Sequence, residues 1–260
     1  MNEARMMQVF FEIHSDLPRE GPGDRESTEK ALSMMSDLKK NPYILDIGCG
    51  PGMQTLDILD VINCTVVAVD NHQPFLEQLS EKVKQKGVAG RVQIMNADMS
   101  SLGFHQETFD LIWSEGAAYI MGFENALRTW KTFLVKHGYL AVSELTWIRP
   151  DPPDEVKRFF DEEYPVMKNI ESNLETIRHA GYNVVGHFTL PSSAWWDHYY
   201  TPIEKKLPAL REKYKDNPEA LAVVKLHEVE IDIYRKYSDF YGYVFYVMRI
   251  DSCNEQQNRS

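Results

Sequence analysis

The stretch YILDIGCGPGMQT, residues 43–55, decides how the rest of this sequence is interpreted. Its first five residues are apolar apart from one Asp, as in a buried strand. Three glycines at alternate positions then open a turn, and the residues after the turn begin a helical pattern. A glycine-rich turn between a strand and a helix lets a ligand approach the backbone closely. The stretch therefore predicts a ligand site at a strand-to-helix corner.

Two features of this corner argue against a diphosphate ligand. The glycine spacing is G-x-G-x-G instead of the longer G-x-G-x-x-G of dinucleotide sites, and Pro51 has no N–H to offer a phosphate. Asp46, two residues before Gly48, places a carboxylate near the pocket, which disfavours a phosphate and favours an ammonium or sulfonium group. The chemistry therefore indicates a cationic, phosphate-free nucleoside, S-adenosylmethionine (SAM).

Carboxylates also follow the next two predicted strands. Asp70 ends the strand TVVAVD, 22 residues past Gly48, where a carboxylate can accept hydrogen bonds from both ribose hydroxyls. Asp98 follows the third strand, where a carboxylate can accept from the adenine amino group with the Met99 backbone nearby. Nicotinamide dinucleotide sites also use an acid after the second strand, so Asp70 indicates an adenosine ribose without choosing the cofactor.

Strand and helix patterns alternate from residue 43 onward, which favours an α/β fold with a parallel sheet and helices on both faces. The predicted strands are 43–47, 65–70, 91–95, 109–114, 138–144, 182–190 and 242–250, and the predicted helices between them are 72–87, 123–138, 170–181 and 218–241. The first forty residues hold two helical stretches around the break DLPREGPGDRES. Ser27 or Thr28 is the expected cap of the second, which runs to about Lys40.

Four segments, LDIGCGPG, VVAVD, NAD and FDLIWSEGA, resemble in order and spacing the motif series of class I, Rossmann-like SAM-dependent methyltransferases. The resemblance covers about residues 40–190 and the final strand. Within this class, the chain is similar to small-molecule enzymes of the ubiquinone/menaquinone-biosynthesis type. It implies a seven-stranded, mostly parallel sheet of order 3-2-1-4-5-7-6 with strand 7 antiparallel. The cofactor-binding residues that it implies are Asp46, Gly48, Gly50, Gly52, Asp70, Asn71, Asp98, Met99, Ser114 and Glu115.

The long connection between the last two strands predicts a cover over the site. It runs from Pro191 to Tyr241, and both ends would lie at the carboxyl edge of the sheet, where ligands bind in open α/β sheets. The expected parts of the chain are an N-terminal helical arm or lid at 1–40, a SAM-binding core at 41–190 plus 242–250, a helical insertion that covers the substrate at 191–241, and a disordered tail at 251–260.

Methyl transfer needs alignment and exclusion of water more than a catalytic group, because the positive sulfur of SAM already activates the methyl carbon. A base is required only where the acceptor loses a proton. The candidates, in order, are Glu115, His198, His14 and Tyr119. The aromatic stretch WWDHYY, residues 195–200, is suited to an apolar ring or a cationic amine.

Composition sets the broad limits of function. The 260 residues carry a net charge of −11, which disfavours a wide basic surface for nucleic acid, and no apolar run approaches the ~20 residues of a membrane span. The cysteines, Cys49, Cys64 and Cys253, are too few and too irregularly spaced for a disulfide framework or a zinc site. We therefore expect a cytoplasmic protein without a metal and without a nucleic-acid or membrane partner.

The prediction is an enzyme, a SAM-dependent methyltransferase of class EC 2.1.1, that methylates a small-molecule acceptor and releases S-adenosylhomocysteine (SAH). The alternatives are a nicotinamide-linked oxidoreductase, a methyltransferase for RNA or protein, and a SAM-binding module without turnover. The chain lacks the D/N-P-P-Y/F motif of many enzymes that methylate amino groups in DNA and protein.

Overall fold

A computed structural model describes residues 3–250, and the predicted tail at 251–260 lies outside the described residues. The strands are β1 Tyr43–Ile47, β2 Thr65–Asp70, β3 Val92–Asn96, β4 Phe109–Glu115, β5 Leu134–Trp147, β6 Lys168–Asn169, β7 Asn183–Thr189 and β8 Tyr241–Arg249. The helices are α1 Glu3–His14, α2 Arg25–Ser33, α3 Met53–Val61, α4 Gln73–Gln85, α5 Phe123–Trp130, α6 Asp154–Glu163, α7 Ile170–His179, α8 Ser192–Trp195, α9 Thr201–Lys213 and α10 Pro218–Tyr237.

The strands form one sheet whose main path is β3-β2-β1-β4-β5-β8-β7. Both pairings of β8 are antiparallel, and the other pairings along the path are parallel. The two-residue β6 pairs with the end of β5 off this path, which raises the strand count from the predicted seven to eight. With β6 set aside, the predicted order 3-2-1-4-5-7-6 and its antiparallel last strand are confirmed.

Apolar clusters fill both faces of the sheet. Ile44 of β1 and Leu111 of β4 enter one cluster together with side chains of α2, α3 and α4. Leu45 and Ile112, one residue further along the same strands, enter the other cluster with side chains of α5 and α7. Because successive side chains of a strand point to opposite faces, a strand covered on both sides is apolar throughout. This explains the uninterrupted apolar runs at the centre of the sheet.

A third cluster joins the N-terminal arm to the segment between β7 and β8. It contains Val9 and Ile13 of α1 together with Trp195, Ile203 and Val224 of the connecting segment. This segment consists of α8, a π-helical turn, α9 and α10, so the predicted helical insertion is helical along most of its length. Its role as a cover for a substrate stays a prediction. None of the helices in the described part of the chain combines the length and apolarity that a bilayer-spanning helix needs.

One helix prediction was wrong at its carboxyl end. The helix expected at 123–138 ends at Trp130, and the chain is already extended as β5 from Leu134. Leu134 is buried and pairs with Phe109 of β4, so a tertiary contact of the sheet overrides the helical periodicity. Gly138 therefore lies inside a strand and does not end a helix.

The second helix of the arm also differs from its prediction. It begins after Asp24, whose side chain accepts a hydrogen bond from the Ser27 N–H at 2.7 Å, so the cap is Asp24 and the expected caps at Ser27 or Thr28 were wrong. The helix ends at Ser33, short of the predicted Lys40. Ser27 and Thr28 are instead buried in the first turn of α2.

Candidate active site

A cavity of about 530 Å³ lies at the carboxyl edge of the sheet. It is lined by the turn after β1, by residues at or after the ends of β2, β3 and β4, and by the N-terminal arm. The predicted cofactor-binding residues that line it are Gly48, Gly50, Asp70, Asn71, Asp98, Met99 and Glu115. Residues from four separate parts of the sequence therefore meet at one cavity, as the resemblance implies. Their contacts with a cofactor stay a prediction.

The turn after β1 requires glycine for two reasons. Gly48 and Gly52 have positive φ angles of 72° and 86°, where other residues are strained. A Cβ atom on Gly48 would lie 2.5 Å from the Cβ of Ala117, and one on Gly52 would collide with the side chain of Leu79. The turn is therefore held tightly between the end of β4 and α4.

The backbone donors of this turn are already used within the protein. They are Gly48 N–H and Cys49 N–H to the Val69 carbonyl at 2.9 and 3.0 Å, Gly50 N–H to Asp70 Oδ2 at 2.9 Å, and Gly52 N–H to the Cys49 carbonyl at 3.0 Å. Pro51 has no N–H. From residue 48 to residue 52 the turn therefore keeps no backbone donor free for a phosphate group.

Asp70 is fixed at the wall of the cavity by two backbone groups. Its Oδ2 accepts from Gly50 N–H and its Oδ1 accepts from His72 N–H, both at 2.9 Å. Each carboxylate oxygen has a second lone pair, so the group can still accept hydrogen bonds from a ligand. The His72 ring is stacked on Phe11 of the arm with 3.7 Å between centroids. The arm thus closes over the end of β2.

Asp98 is exposed at another part of the cavity, in the loop after β3. Its Oδ1 accepts from the N–H and the Oγ of Ser100 at 2.8 and 2.7 Å, and these hydrogen bonds hold the pKa of the carboxyl below its usual value. An ionised, oriented carboxylate of this kind is suited to accept from an amino group.

Three predicted cofactor residues lie outside the described lining of the cavity. Ser114 Oγ donates to the Ile47 carbonyl at 2.9 Å and ties β4 to β1, and Gly52 caps α3. Asp46 is fully buried in the sheet, with its Oδ2 accepting from Thr55 Oγ1. The Ser114 and Asp46 side chains point into the protein interior and Gly52 has no side chain, so the geometry does not favour direct cofactor contact by side chains at these positions.

Asp46 nevertheless shapes the electrostatics of the site. Its Oδ1 is buried and has no hydrogen-bond partner among residues 3–250. Burial raises the pKa of this carboxyl to about 7, because the charged form loses its hydration. A cation in the cavity would favour the ionised form of this group.

An arginine from the arm enters the site and pairs with Glu115. Arg19 Nη2 donates to Glu115 Oε2, and both side chains are only 3% exposed. Trp113 Nε1 donates to the other oxygen, Oε1, at 2.8 Å. Glu115 lines the cavity, but its carboxylate is held in a buried ion pair with Arg19. We therefore do not propose Glu115 as the base, although it was the first candidate from the sequence.

The other candidate bases lie in different surroundings. Tyr119 lines the cavity and is 47% exposed. His198 is partly exposed on the π-helical turn Trp196–Tyr200 and is not among the described residues of the cavity lining. His14 is buried behind Glu20, with its Nδ1 2.9 Å from Glu20 Oε2, and burial lowers the pKa of its imidazole to about 3. Of the three, Tyr119 is the one that the structure brings to the cavity.

Sequence reasoning missed two charged residues of the site. Arg19 and Glu20 lie in the break DLPREGPG, which we interpreted only as the end of a helix, yet both line the cavity. Glu20 Oε1 is buried without a partner among the described residues, and burial raises the pKa of the carboxyl to about 8. Two charged residues inside a Pro/Gly break were the available signal. In the described part of the chain, no group of three or more His, Cys, Asp or Glu residues is arranged to hold a metal ion.

The comparisons with known proteins agree with the fold and with the glycine turn. Residues 44–138 match the family model described as a methyltransferase domain. A sterol 24-C-methyltransferase from Kluyveromyces lactis is 25% identical over 128 residues, which are 49% of this chain and 34% of that enzyme. The chain thus spans about a third of the length of this curated relative.

Solved structures show the same fold over nearly the whole chain. A SAM-dependent methyltransferase from Thiobacillus denitrificans, in complex with SAH, has a TM-score of 0.77 at 19% identity and covers 95% of this chain and 99% of that one. The [4+2]-cyclase SpnF has a TM-score of 0.73 at 18% identity, with 95% and 93% covered. Likenesses at this level of identity show the fold alone. Residues 44–138 therefore match a methyltransferase domain, and nearly the whole chain has the fold of the SAM-dependent methyltransferase structure described above.

Proposed function

We propose that this protein transfers a methyl group from SAM to a small-molecule acceptor. The observation that supports this most strongly is the turn after β1, which keeps no backbone donor for a phosphate between residues 48 and 52. Acidic groups surround it, with Asp70 beside it and Asp46 beneath it. Such a corner suits a positively charged nucleoside and disfavours the diphosphate of a nicotinamide dinucleotide.

The residues of the cavity suggest how SAM would lie. Asp70 would accept from the ribose hydroxyls, and Asp98 would accept from the adenine amino group. Arg19 is the one Arg or Lys among the described lining residues, and its Nη1 is buried without a partner in the described chain. Arg19 therefore fits the carboxylate of the methionine part.

The transfer itself is a displacement at carbon. The acceptor's lone pair attacks the methyl group, the S–CH₃ bond breaks, and its electron pair stays on sulfur to give neutral SAH. No electron donor or metal is needed for this balance. The protein supplies alignment and a dry cavity, and the arm contributes to both because Phe11, Arg19 and Glu20 line the cavity.

The rim of the cavity favours an apolar acceptor. Met7, Phe10 and Phe11 of the arm and Tyr119 and Ile120 after β4 line the cavity. Met7 and Ile120 are 50% and 63% exposed, and because they line the same cavity they belong to one apolar patch. An acceptor with an apolar body would cover them. Burial raises the pKa of Tyr119, so its neutral hydroxyl would orient the acceptor by a hydrogen bond and would not take a proton from it.

The net charge of −11 supports a metabolite over RNA as the acceptor. A cytoplasmic location is likewise part of the proposal, and it rests on cysteine use. Cys49 and Cys64 are buried free thiols, which suits a reducing compartment.

The proposed function is tested first by ligand binding and then by turnover. We expect SAM and SAH to raise the melting temperature, because a ligand that binds only the folded protein shifts the folding equilibrium toward it. NADH at the same concentration should leave the melting temperature unchanged. Incubation with methyl-labelled SAM and a metabolite extract, followed by mass spectrometry, should then reveal a labelled product of low mass. Binding of NADH instead of SAM would contradict the proposal that SAM is the cofactor. Tight SAM binding without any labelled product would favour a binding module.

SAM binding should strengthen as the pH rises from about 6 to about 8. Burial raises the pKa of Asp46 to about 7, and a bound cation lowers it by favouring the ionised form. Protons are then released on binding, so affinity rises with pH, roughly threefold to tenfold over this range. Titration calorimetry in a pH series measures the slope.

The contribution of the sulfonium charge is found by comparing the pH dependence of binding for SAM with that for SAH, which lacks the charge on sulfur. We expect a shallower slope for SAH, and a shallower slope for SAM in Asp46→Asn. The charged groups that act on Asp46 are Glu115 and Arg19, and both are present in the two titrations. Equal slopes for SAM and SAH would show that the charge on sulfur does not act on Asp46.

A further inference from the structure

A buried chain of hydrogen bonds runs from the cavity to the long helix α10. Glu20 Oε2 lies 2.9 Å from His14 Nδ1, and His14 Nε2 lies 3.2 Å from His227 Nε2. His227 Nδ1 in turn lies 2.8 Å from the Val223 carbonyl. The His14 ring is held from the side by Phe10, stacked at 4.1 Å between centroids. Three titratable side chains from the arm and from α10 are thus aligned in one row.

The far end of the row fixes the direction of every hydrogen bond in it. A carbonyl oxygen only accepts, so His227 Nδ1 carries the proton there, and the Nε2 of a neutral His227 is an acceptor. His14 must then donate from Nε2, which leaves its Nδ1 as an acceptor. Burial lowers the pKa of both imidazoles and so favours the neutral rings that this pattern needs. Glu20 therefore supplies the last proton and donates from Oε2 to His14.

This arrangement makes the other oxygen of Glu20 a pure acceptor. Oε1 is buried and has no partner among the described residues, and Glu20 lines the cavity. The Glu20 Cγ lies 3.2 Å from the position that a Cβ on Gly50 would take, so the side chain packs on the glycine turn. Gly50 N–H donates to Asp70 at 2.9 Å, so Asp70 and Glu20 both contact Gly50, and the charge of Asp70 contributes to the raised pKa of Glu20. A fixed acceptor without a donor is thus placed beside the carboxylate that faces the nucleoside.

We propose that Glu20 is a second acceptor for the ribose hydroxyls of the cofactor, and that His14 and His227 are positioning residues that aim its Oε1 at them. The proposal rests on the proposed binding of SAM. Two vicinal hydroxyls offer two protons, and Asp70 and Glu20 each take one. Because His227 belongs to α10, the helical segment between β7 and β8 contributes to holding the cofactor without touching it.

The test compares SAH with its 2′-deoxy and 3′-deoxy analogues by titration calorimetry. In the natural protein each analogue should bind about tenfold more weakly than SAH, because a buried acceptor is left without its donor. In Glu20→Ala one of the two penalties should vanish and the other should persist. In His227→Leu we expect the penalty for the same deoxy analogue to shrink, because Glu20 is no longer held in place, and the penalty for the other analogue to stay unchanged. A general loss of stability would not affect one analogue and spare the other.

A matched control is Glu12→Gln, which changes the same residue type in the same arm. Glu12 bonds to Lys213 and Tyr214 on α9 and its neighbouring turn, away from the described lining of the cavity. Both penalties should stay as in the natural protein. If Glu20→Ala also leaves both penalties unchanged, Glu20 does not contact the ribose and the inference fails. If the natural protein does not bind SAH, the proposed function fails instead, so the two failures are distinguishable.

Discussion

Asp70→Ala is expected to weaken SAH binding on the order of 100-fold. The ribose would lose its charge-assisted hydrogen bond to this carboxylate, which is worth about 1.5–3 kcal/mol. The substitution also removes the acceptor of Gly50 N–H, so the turn loses the contact that holds it against β2. Titration calorimetry with SAH gives the change in affinity directly.

The matched control for this variant is Asp110→Ala at the opposite edge of the sheet. Like Asp70, Asp110 accepts a hydrogen bond from a backbone N–H, that of Tyr43 at 2.8 Å. In addition, it forms an ion pair with Lys39. Its loss should lower stability and leave the affinity for SAH unchanged. Equal affinities for Asp70→Ala and the natural protein would place the nucleoside elsewhere and remove the basis of the proposed function.

Arg19→Met is expected to lower the free energy of unfolding by about 3–5 kcal/mol, the usual cost of leaving one partner of a buried ion pair alone. Glu115 is 3% exposed and would keep only the hydrogen bond from Trp113. Urea unfolding monitored by circular dichroism measures the loss. The same variant should weaken SAM binding, because Arg19 is the proposed partner of the methionine carboxylate.

The double variant Arg19→Met/Glu115→Gln separates these two effects. A neutral amide at position 115 needs no cation, so most of the lost stability should return. Affinity for SAM should stay low, because the guanidinium is still missing. If Arg19→Met alone is as stable as the natural protein, the ion pair between Arg19 and Glu115 is not desolvated. Recovery of affinity in the double variant would contradict the role of Arg19 in holding the cofactor.

Local sequence signals were sufficient for the centre of the fold. Strands β1 and β2 have the predicted bounds because each is a short apolar run that ends at an Asp or a glycine turn. The predicted carboxyl end of α5 was wrong because it is determined by strand pairing, which is a contact between residues distant in sequence. The cap of α2 was wrong for a local reason, since Asp24 precedes Ser27 by three residues and has the side chain that best satisfies the first N–H groups.

The candidate site was predictable where it follows from strand ends and not where it follows from the arm. Alternation along β4 would have excluded Ser114, since Trp113 and Glu115 share the opposite face and contact each other. Arg19 meets Glu115 across 96 residues of sequence, and no periodicity reports such a pairing. The sequence therefore predicts the cavity wall, whereas the charges that the arm brings to it require the structure.

The position of β8 has a consequence for the order in which this protein is completed during synthesis. The last described strand, Tyr241–Arg249, lies between β5 and β7 and is hydrogen-bonded to both. A nascent chain whose final ten described residues are still inside the ribosome thus presents two unpaired strand edges, the usual sites of wrong association between chains. The sheet is complete only when β8 has emerged, so a helper that shields these edges would act between the synthesis of β7 and that of β8.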